Sequence, residues 1–171
     1  MDNKHNVIPV VSIVGESDTG KTTLIEKVIP ELTRRGYRVA TIKHHGHGFD
    51  LDHEGKDSWR HKQAGACVTV LASPRQVAVV EDVATDLEIA ELRDKYIRNV
   101  DIILTEGFKK NREPKIEVFR ADRKGDIISR GDANLLAVVG DKPPQIDVPC
   151  FDRHDVTGVA DLIETRFLTA P

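Results

Sequence analysis

The chain has 171 residues, 39% of them hydrophobic and 31% charged, with a formal net charge of -3. That length suits one compact domain with a proper core, and the slight negative charge argues against a general nucleic-acid footprint. No apolar run approaches the roughly 18 residues of a membrane span, and the polar stretch Met1 to Asn6 leads directly into a strand, with no apolar h-region ahead of a small-residue cleavage site, so neither an anchor nor a signal peptide is expected and the expected location is the cytoplasm.

Residues 1–6 read as a flexible N-terminus and 7–168 as a single domain. Val7 to Val14 is almost wholly apolar and ends at Gly15, as expected of a strand buried on both faces of a parallel sheet. Gly20 to Arg35 reads as a helix with the stripe Leu24, Ile25, Val28, Ile29 and Leu32. Gly36 is its stop, and Pro30 should kink its last turns. Tyr37 to Lys43 is a second strand. A polar segment follows, and Asp57-Ser58 offers a cap for a short helix to about Gln63. Val68 to Ala72 and Gln76 to Val80 flank Ser73-Pro74-Arg75, the pattern of a hairpin. Asp86 to Arg98 is amphipathic, with Ile89, Leu92, Tyr96 and Ile97 on one side. Strands are expected at Val100 to Thr105, Lys115 to Phe119 and Leu135 to Val139, and a closing helix from about Asp155 to Phe167. Strands alternating with helices imply an α/β fold: a P-loop-like, mainly parallel sheet flanked by helices, with an antiparallel hairpin annexe. Cys67 and Cys150 lie far apart in apolar surroundings and read as buried free thiols.

Gly15-Glu16-Ser17-Asp18-Thr19-Gly20-Lys21-Thr22 satisfies G-x-x-x-x-G-K-[ST] at every position, between a buried strand and an amphipathic helix. The four fixed positions coincide by accident in about 1% of chains this long, before that context is required. Glycines let successive N–H groups curl toward phosphate oxygens, and the helix N-terminus adds partial positive charge there. Lys21 is expected to reach the β- and γ-phosphates, Thr22 to ligate Mg²⁺ and Thr23 to touch the α-phosphate. A P-loop also needs an acid at the end of a neighbouring buried strand to hold the magnesium through water. Glu106, closing Asp101-Ile102-Ile103-Leu104-Thr105-Glu106, is the candidate, in place of the usual Asp. Asp101, at the opposite end of that strand, reads as a turn residue.

The segment Lys43-His44-His45-Gly46-His47-Gly48-Phe49-Asp50-Leu51-Asp52-His53 leaves the second strand at its carboxyl end, where loops of an open parallel sheet line the ligand crevice. Asp50 and Asp52 are candidates to approach the magnesium or a water in its shell. Three readings stand for the segment: contact with phosphate or a second substrate, a zinc or nickel site built on its histidines, and a plain solvated loop. Lys56, Asp57 and Arg60 continue it as a cluster able to neutralise phosphate or to form an exposed helix face.

Together these features resemble the molybdopterin-guanine dinucleotide biosynthesis protein B (MobB) family. The residues that carry the resemblance are Thr19-Gly20-Lys21-Thr22-Thr23, Ile42-Lys43-His44-His45, Gly55-Lys56-Asp57-Ser58, Ala64-Gly65-Ala66, Glu106-Gly107-Phe108-Lys109 and Pro114-Lys115-Ile116-Glu117. They run through nearly the whole chain. The resemblance implies a homodimeric GTP-binding accessory protein with weak GTPase activity, using GTP and Mg²⁺ beside a MobA-type nucleotidyltransferase that joins molybdopterin to GMP. It also implies that Lys43, His44, His45, Lys56, Asp57 and Arg60 face a second substrate, molybdopterin included, or the partner protein. Guanine readers often carry N-K-x-D or T-K-x-D after a late strand. Here Val139-Gly140-Asp141 keeps only the acid, which makes Asp141 the candidate base contact. No arginine finger stands out in cis, so slow turnover is expected, with Arg60, Arg112 or Arg130 as candidates across a dimer. Two other classes fit a P-loop: a metallochaperone-type GTPase with a metal-binding histidine loop, and a small-molecule kinase.

Overall fold

The computed structural model describes residues 7–49, 53–108, 111–122, 126–141 and 145–169. The chain divides into two compact units, residues up to 44 with those from 93 onward, and residues 45–92.

The larger unit is built on six strands, β1 (Val10–Val14), β2 (Val39–Lys43), β5 (Ile102–Glu106), β6 (Lys115–Arg120), β7 (Leu135–Asp141) and β8 (Cys150–Phe151). They lie in the order β2-β5-β1-β6-β7-β8, and every neighbouring pair is parallel. The β1-to-β2 connection leads to one side of β1 and the β5-to-β6 connection crosses to its other side, so the loop after β1 opens at the point where the strand order reverses. All five β1 residues are buried, as a strand covered on both faces requires. Ser12 and Thr105 are buried between β1 and β5, and their hydroxyls satisfy each other at 2.9 Å.

Helix α1 (Lys21–Arg34) buries Leu24, Ile25, Val28 and Leu32, the stripe expected from their spacing. Pro30 sits inside this helix, which runs on to Arg34. It stops as the sequence anticipates: the Gly36 and Tyr37 amides turn back to the Thr33 and Leu32 carbonyls at 2.9 and 3.1 Å. The same core takes Val159, Ala160 and Ile163 of α4 (Val156–Ile163), which continues as a π-helical turn, Glu164–Leu168. Each fully buried aliphatic side chain contributes about 1.5–3 kcal/mol. Arg35 ties the two helices together, bonding Glu31 at 2.9 Å and Glu164 at 2.6 Å. Bonds from Arg34 and Arg35 pull the Glu31 carboxyl down to about 2.

Two buried charges fix the loop between β6 and β7. Lys115 Nζ donates to Asn111 O at 2.9 Å and to Asp132 at 2.5 Å, holding the Asp132 carboxyl below its usual range. The Glu117 carboxylate accepts from the Ile128 and Ser129 amides at 2.7 and 2.8 Å.

The smaller unit contains α2 (Asp57–Gln63) and a hairpin of β3 (Val68–Ala72) and β4 (Val77–Glu81), which forms a two-stranded antiparallel sheet of its own. Helix α3 (Ile89–Tyr96) carries the chain back to the larger unit. It is shorter than its amphipathic pattern suggests, and of its residues only Ile89 is buried. The N-cap of α2 is Lys56, with no side-chain cap, and Asp57 is instead the acid of the first turn. Both cysteines are free, as expected, but exposed rather than buried. Cys150 stands on the two-residue edge strand β8, and Cys67 immediately precedes the exposed β3. An apolar neighbourhood in the sequence does not by itself supply a covering layer. Among the described residues, no helix is long and apolar enough to cross a membrane.

Candidate nucleotide-binding site

The loop after β1 closes by backbone geometry that its sequence dictates. Gly15 is buried with φ +140°, and a Cβ there would stand 2.5 Å from the Val118 carbonyl oxygen and 2.9 Å from Thr19 Oγ1. Only glycine fits that approach. Asp18 follows with φ 59° and Gly20, at the cap of α1, with φ 105°. Thr19 is buried and its hydroxyl donates to the Glu16 carbonyl at 3.0 Å, while Lys21 Nζ donates to the same carbonyl at 2.5 Å. The loop is thus bridged by the cation expected to hold phosphate. Ser17, Thr22 and Thr23 are exposed on the same loop and first helical turn.

Thr22 and Glu106, 84 residues apart, are brought together. Thr22 Oγ1 donates to the two Glu106 carboxylate oxygens at 2.9 and 3.1 Å. The hydroxyl proton is spent on the acid, which leaves the oxygen lone pairs for a cation. Lys43, at the carboxyl end of β2, is the register partner of Glu106, with Nζ 3.6 Å from Oε2. The next residue keeps the strands joined: the His44 amide donates to the Glu106 carbonyl at 2.8 Å, and the His44 ring lies 4.7 Å from that of Phe108. Gly107 is required there, since a Cβ would fall 2.5 Å from the His44 carbonyl oxygen.

Asp141 stands at the carboxyl end of β7, on the same edge of the sheet. Its partner was not foreseen. Arg153, two residues beyond β8, donates through Nε to Oδ1 at 2.6 Å and meets Oδ2 through Nη2. Arg153 also borders a cavity of about 160 Å³ whose other walls include Gly20 and Thr23 at the start of α1.

His45, Lys56, Asp57 and Arg60 belong to the smaller unit. Arg60 and Asp57 form an exposed pair 3.8 Å apart on α2. Asp50 and Asp52 lie outside the described residues, so the placement of Asp52 near magnesium is not addressed. Among the described residues, no three His, Cys, Asp or Glu side chains come together as a metal site, which leaves the histidine-loop metallochaperone reading without structural support. Asp101 is where the sequence places it, at the far end of β5, accepting from the Arg38 amide at 2.7 Å.

Residues 10–141 match the family model for molybdopterin guanine dinucleotide synthesis protein B, MobB. The chain belongs to the MobB family. It is 38% identical over 161 residues to the molybdopterin-guanine dinucleotide biosynthesis adapter protein of Haemophilus influenzae, covering 94% of this chain and 90% of that one. The Escherichia coli adapter protein of the same name is 37% identical over 163 residues, covering 92% of each. Among solved structures, Bacillus subtilis MobB superimposes with a TM-score of 0.76 at 29% identity, covering 95% of this chain and 99% of that one. The short motifs that carry the MobB resemblance divide by task. Those around Lys21, Lys43 and Glu106 meet at the carboxyl ends of β1, β2 and β5, whereas Lys115 and Glu117 are buried scaffold that fixes the 126–134 loop.

Proposed function

We propose that this chain is a GTP-binding adapter with weak GTPase activity that assists conversion of molybdopterin to molybdopterin guanine dinucleotide. The bond from Thr22 to Glu106 carries this reading, because it sets a hydroxyl and a carboxylate beside the Lys21 loop. Hard oxygen donors of this kind suit Mg²⁺, with Thr22 as ligand and Glu106 acting through the hydroxyl and water. The ion would shield triphosphate charge. Lys21 would exchange the Glu16 carbonyl for phosphate oxygens, Gly15 to Gly20 would supply amides, Thr23 would reach the α-phosphate, and Asp141 would accept from guanine.

Slow hydrolysis is expected of the isolated chain, whose sequence marks no finger in cis and leaves Arg60, Arg112 or Arg130 to supply one across a dimer. Without a finger, a factor of roughly 10³–10⁵ in rate is missing. The biological partner is a MobA-type nucleotidyltransferase in the cytoplasm. The relatives' names support that role, since they are adapter proteins of molybdopterin-guanine dinucleotide biosynthesis. A reconstitution of molybdopterin, GTP and such a transferase tests it. Dinucleotide formation rises when the wild-type chain is added and not when Lys21→Ala is added; equal product with and without the chain would refute the reading.

The adapter works as a homodimer through its hairpin. Register places Val68, Val70, Val77 and Val79 on one face of the β3–β4 sheet, and all four are exposed in the single chain. A lone hairpin is marginally stable, and a contiguous valine face calls for a covering layer. Sedimentation velocity should find a dimer that Val70→Lys with Val79→Lys converts to monomer. A wild-type monomer, or an unaffected double variant, would contradict this.

A further inference from the structure

We propose that Arg153 is a specificity-determining residue that reads the O6 and N7 edge of guanine while Asp141 reads its N1 and N2 donors. The proposal rests on the GTP-binding reading above and extends it to a second base contact.

The argument begins with position. Parallel pairing puts the carboxyl ends of β1, β6, β7 and β8 on one edge of the sheet, so the phosphate loop, Asp141 and Arg153 share that edge. The cavity of about 160 Å³ is walled by Gly20 and Thr23, where the α-phosphate is expected, and also by Phe119, Gly140 and Arg153. A nucleoside extending from the loop into this cavity brings its base toward Arg153 and the Asp141 carboxylate bonded to it.

The chemistry of the pair is complementary to one purine. A carboxylate only accepts and a guanidinium only donates. Guanine offers N1–H and N2–H donors on one side and the O6 and N7 acceptors on the other, and arginine is the usual bidentate partner of those acceptors. Adenine reverses the pattern: its N1 would meet the carboxylate acceptor to acceptor, and its 6-amino group would meet the guanidinium donor to donor. A site built on hydrogen bonds rejects such an analogue strongly, because its own groups are left unpaired. Before the base arrives, the two side chains satisfy each other in an ion pair, with 43% and 37% of their side-chain surfaces exposed. Exposed pairs contribute little stability, so exchanging this one for a base edge costs little.

The test compares GTP, 7-deaza-GTP (which lacks the N7 acceptor) and ATP, each with Mg²⁺, on the wild-type chain, Arg153→Ala and Arg153→Lys. The wild type should prefer GTP over both competitors by roughly tenfold or more. Arg153→Ala should bind GTP and 7-deaza-GTP alike, and a melting temperature close to that of the wild type reports an intact fold, since an exposed ion pair contributes little stability. Arg153→Lys should restore part of the preference. An Arg153→Ala variant with the wild-type ratio of GTP to 7-deaza-GTP would overturn the assignment of Arg153 alone. A wild-type chain that binds GTP and ATP equally would overturn both base contacts, Arg153 and Asp141. A folded wild type that binds none of the three would overturn the GTP-binding reading itself.

Discussion

Lys21→Ala should cost about 2–5 kcal/mol of Mg-GTP binding, roughly a 30-fold to several-thousand-fold loss of affinity. The ammonium is already committed to the site, held at 2.5 Å from the Glu16 carbonyl by a loop that Gly15 folds back on itself. Phosphate oxygens compete well for it, because a charge-assisted bond to an anion is about twice as strong as one to a neutral carbonyl. Truncation leaves the amides of the loop but removes the point charge they surround. Fluorescent-nucleotide titration checks the loss. Thermal melting separates it from unfolding: Lys21 is only half-buried, so the melting temperature should hardly change. Unchanged GTP affinity in a folded variant would show that the loop is not the binding element.

Glu106→Gln should act on the metal rather than on the nucleotide. The carboxylate accepts the Thr22 proton and sits 3.6 Å from the Lys43 ammonium, so it orients the candidate ligand and balances a neighbouring charge. Substitutions of such supporting groups typically cost 10- to 100-fold in metal affinity. The expected result is a loss of roughly that size in the Mg²⁺ concentration dependence of GTP binding, with affinity in excess chelator unchanged. Turnover, already slow, should fall further. Retained wild-type Mg²⁺ dependence would remove Glu106 from the metal's surroundings.

The parts of this site that the sequence reveals are those whose chemistry is local. Gly15, Gly20, Lys21 and Thr22 form one loop, and their spacing encodes both the turn and the cation. Glu106 is legible because a buried apolar run ending in an acid places that acid at a strand end. Its bond to Thr22 needs only that β5 lie beside β1, as it does. The Asp141–Arg153 pair depends instead on a two-residue strand, β8, too short to give any periodic signal. The exposure of Cys67 and Cys150 escaped for a related reason. Apolar neighbours mark a strand, but whether a strand is covered depends on which sheet it joins and where. The hairpin illustrates this: its alternation predicts pairing, and the pairing occurs, yet four of its five valines are exposed.

The central claim is that the amides and ammonium at the start of α1 hold a guanine triphosphate together with magnesium. Isothermal titration calorimetry of purified, folded protein with GTP, in Mg²⁺ and again in chelator, tests it most directly. The account predicts saturable heat corresponding to one nucleotide per chain, much weakened when the metal is withdrawn. No saturable heat with GTP in either buffer would contradict it.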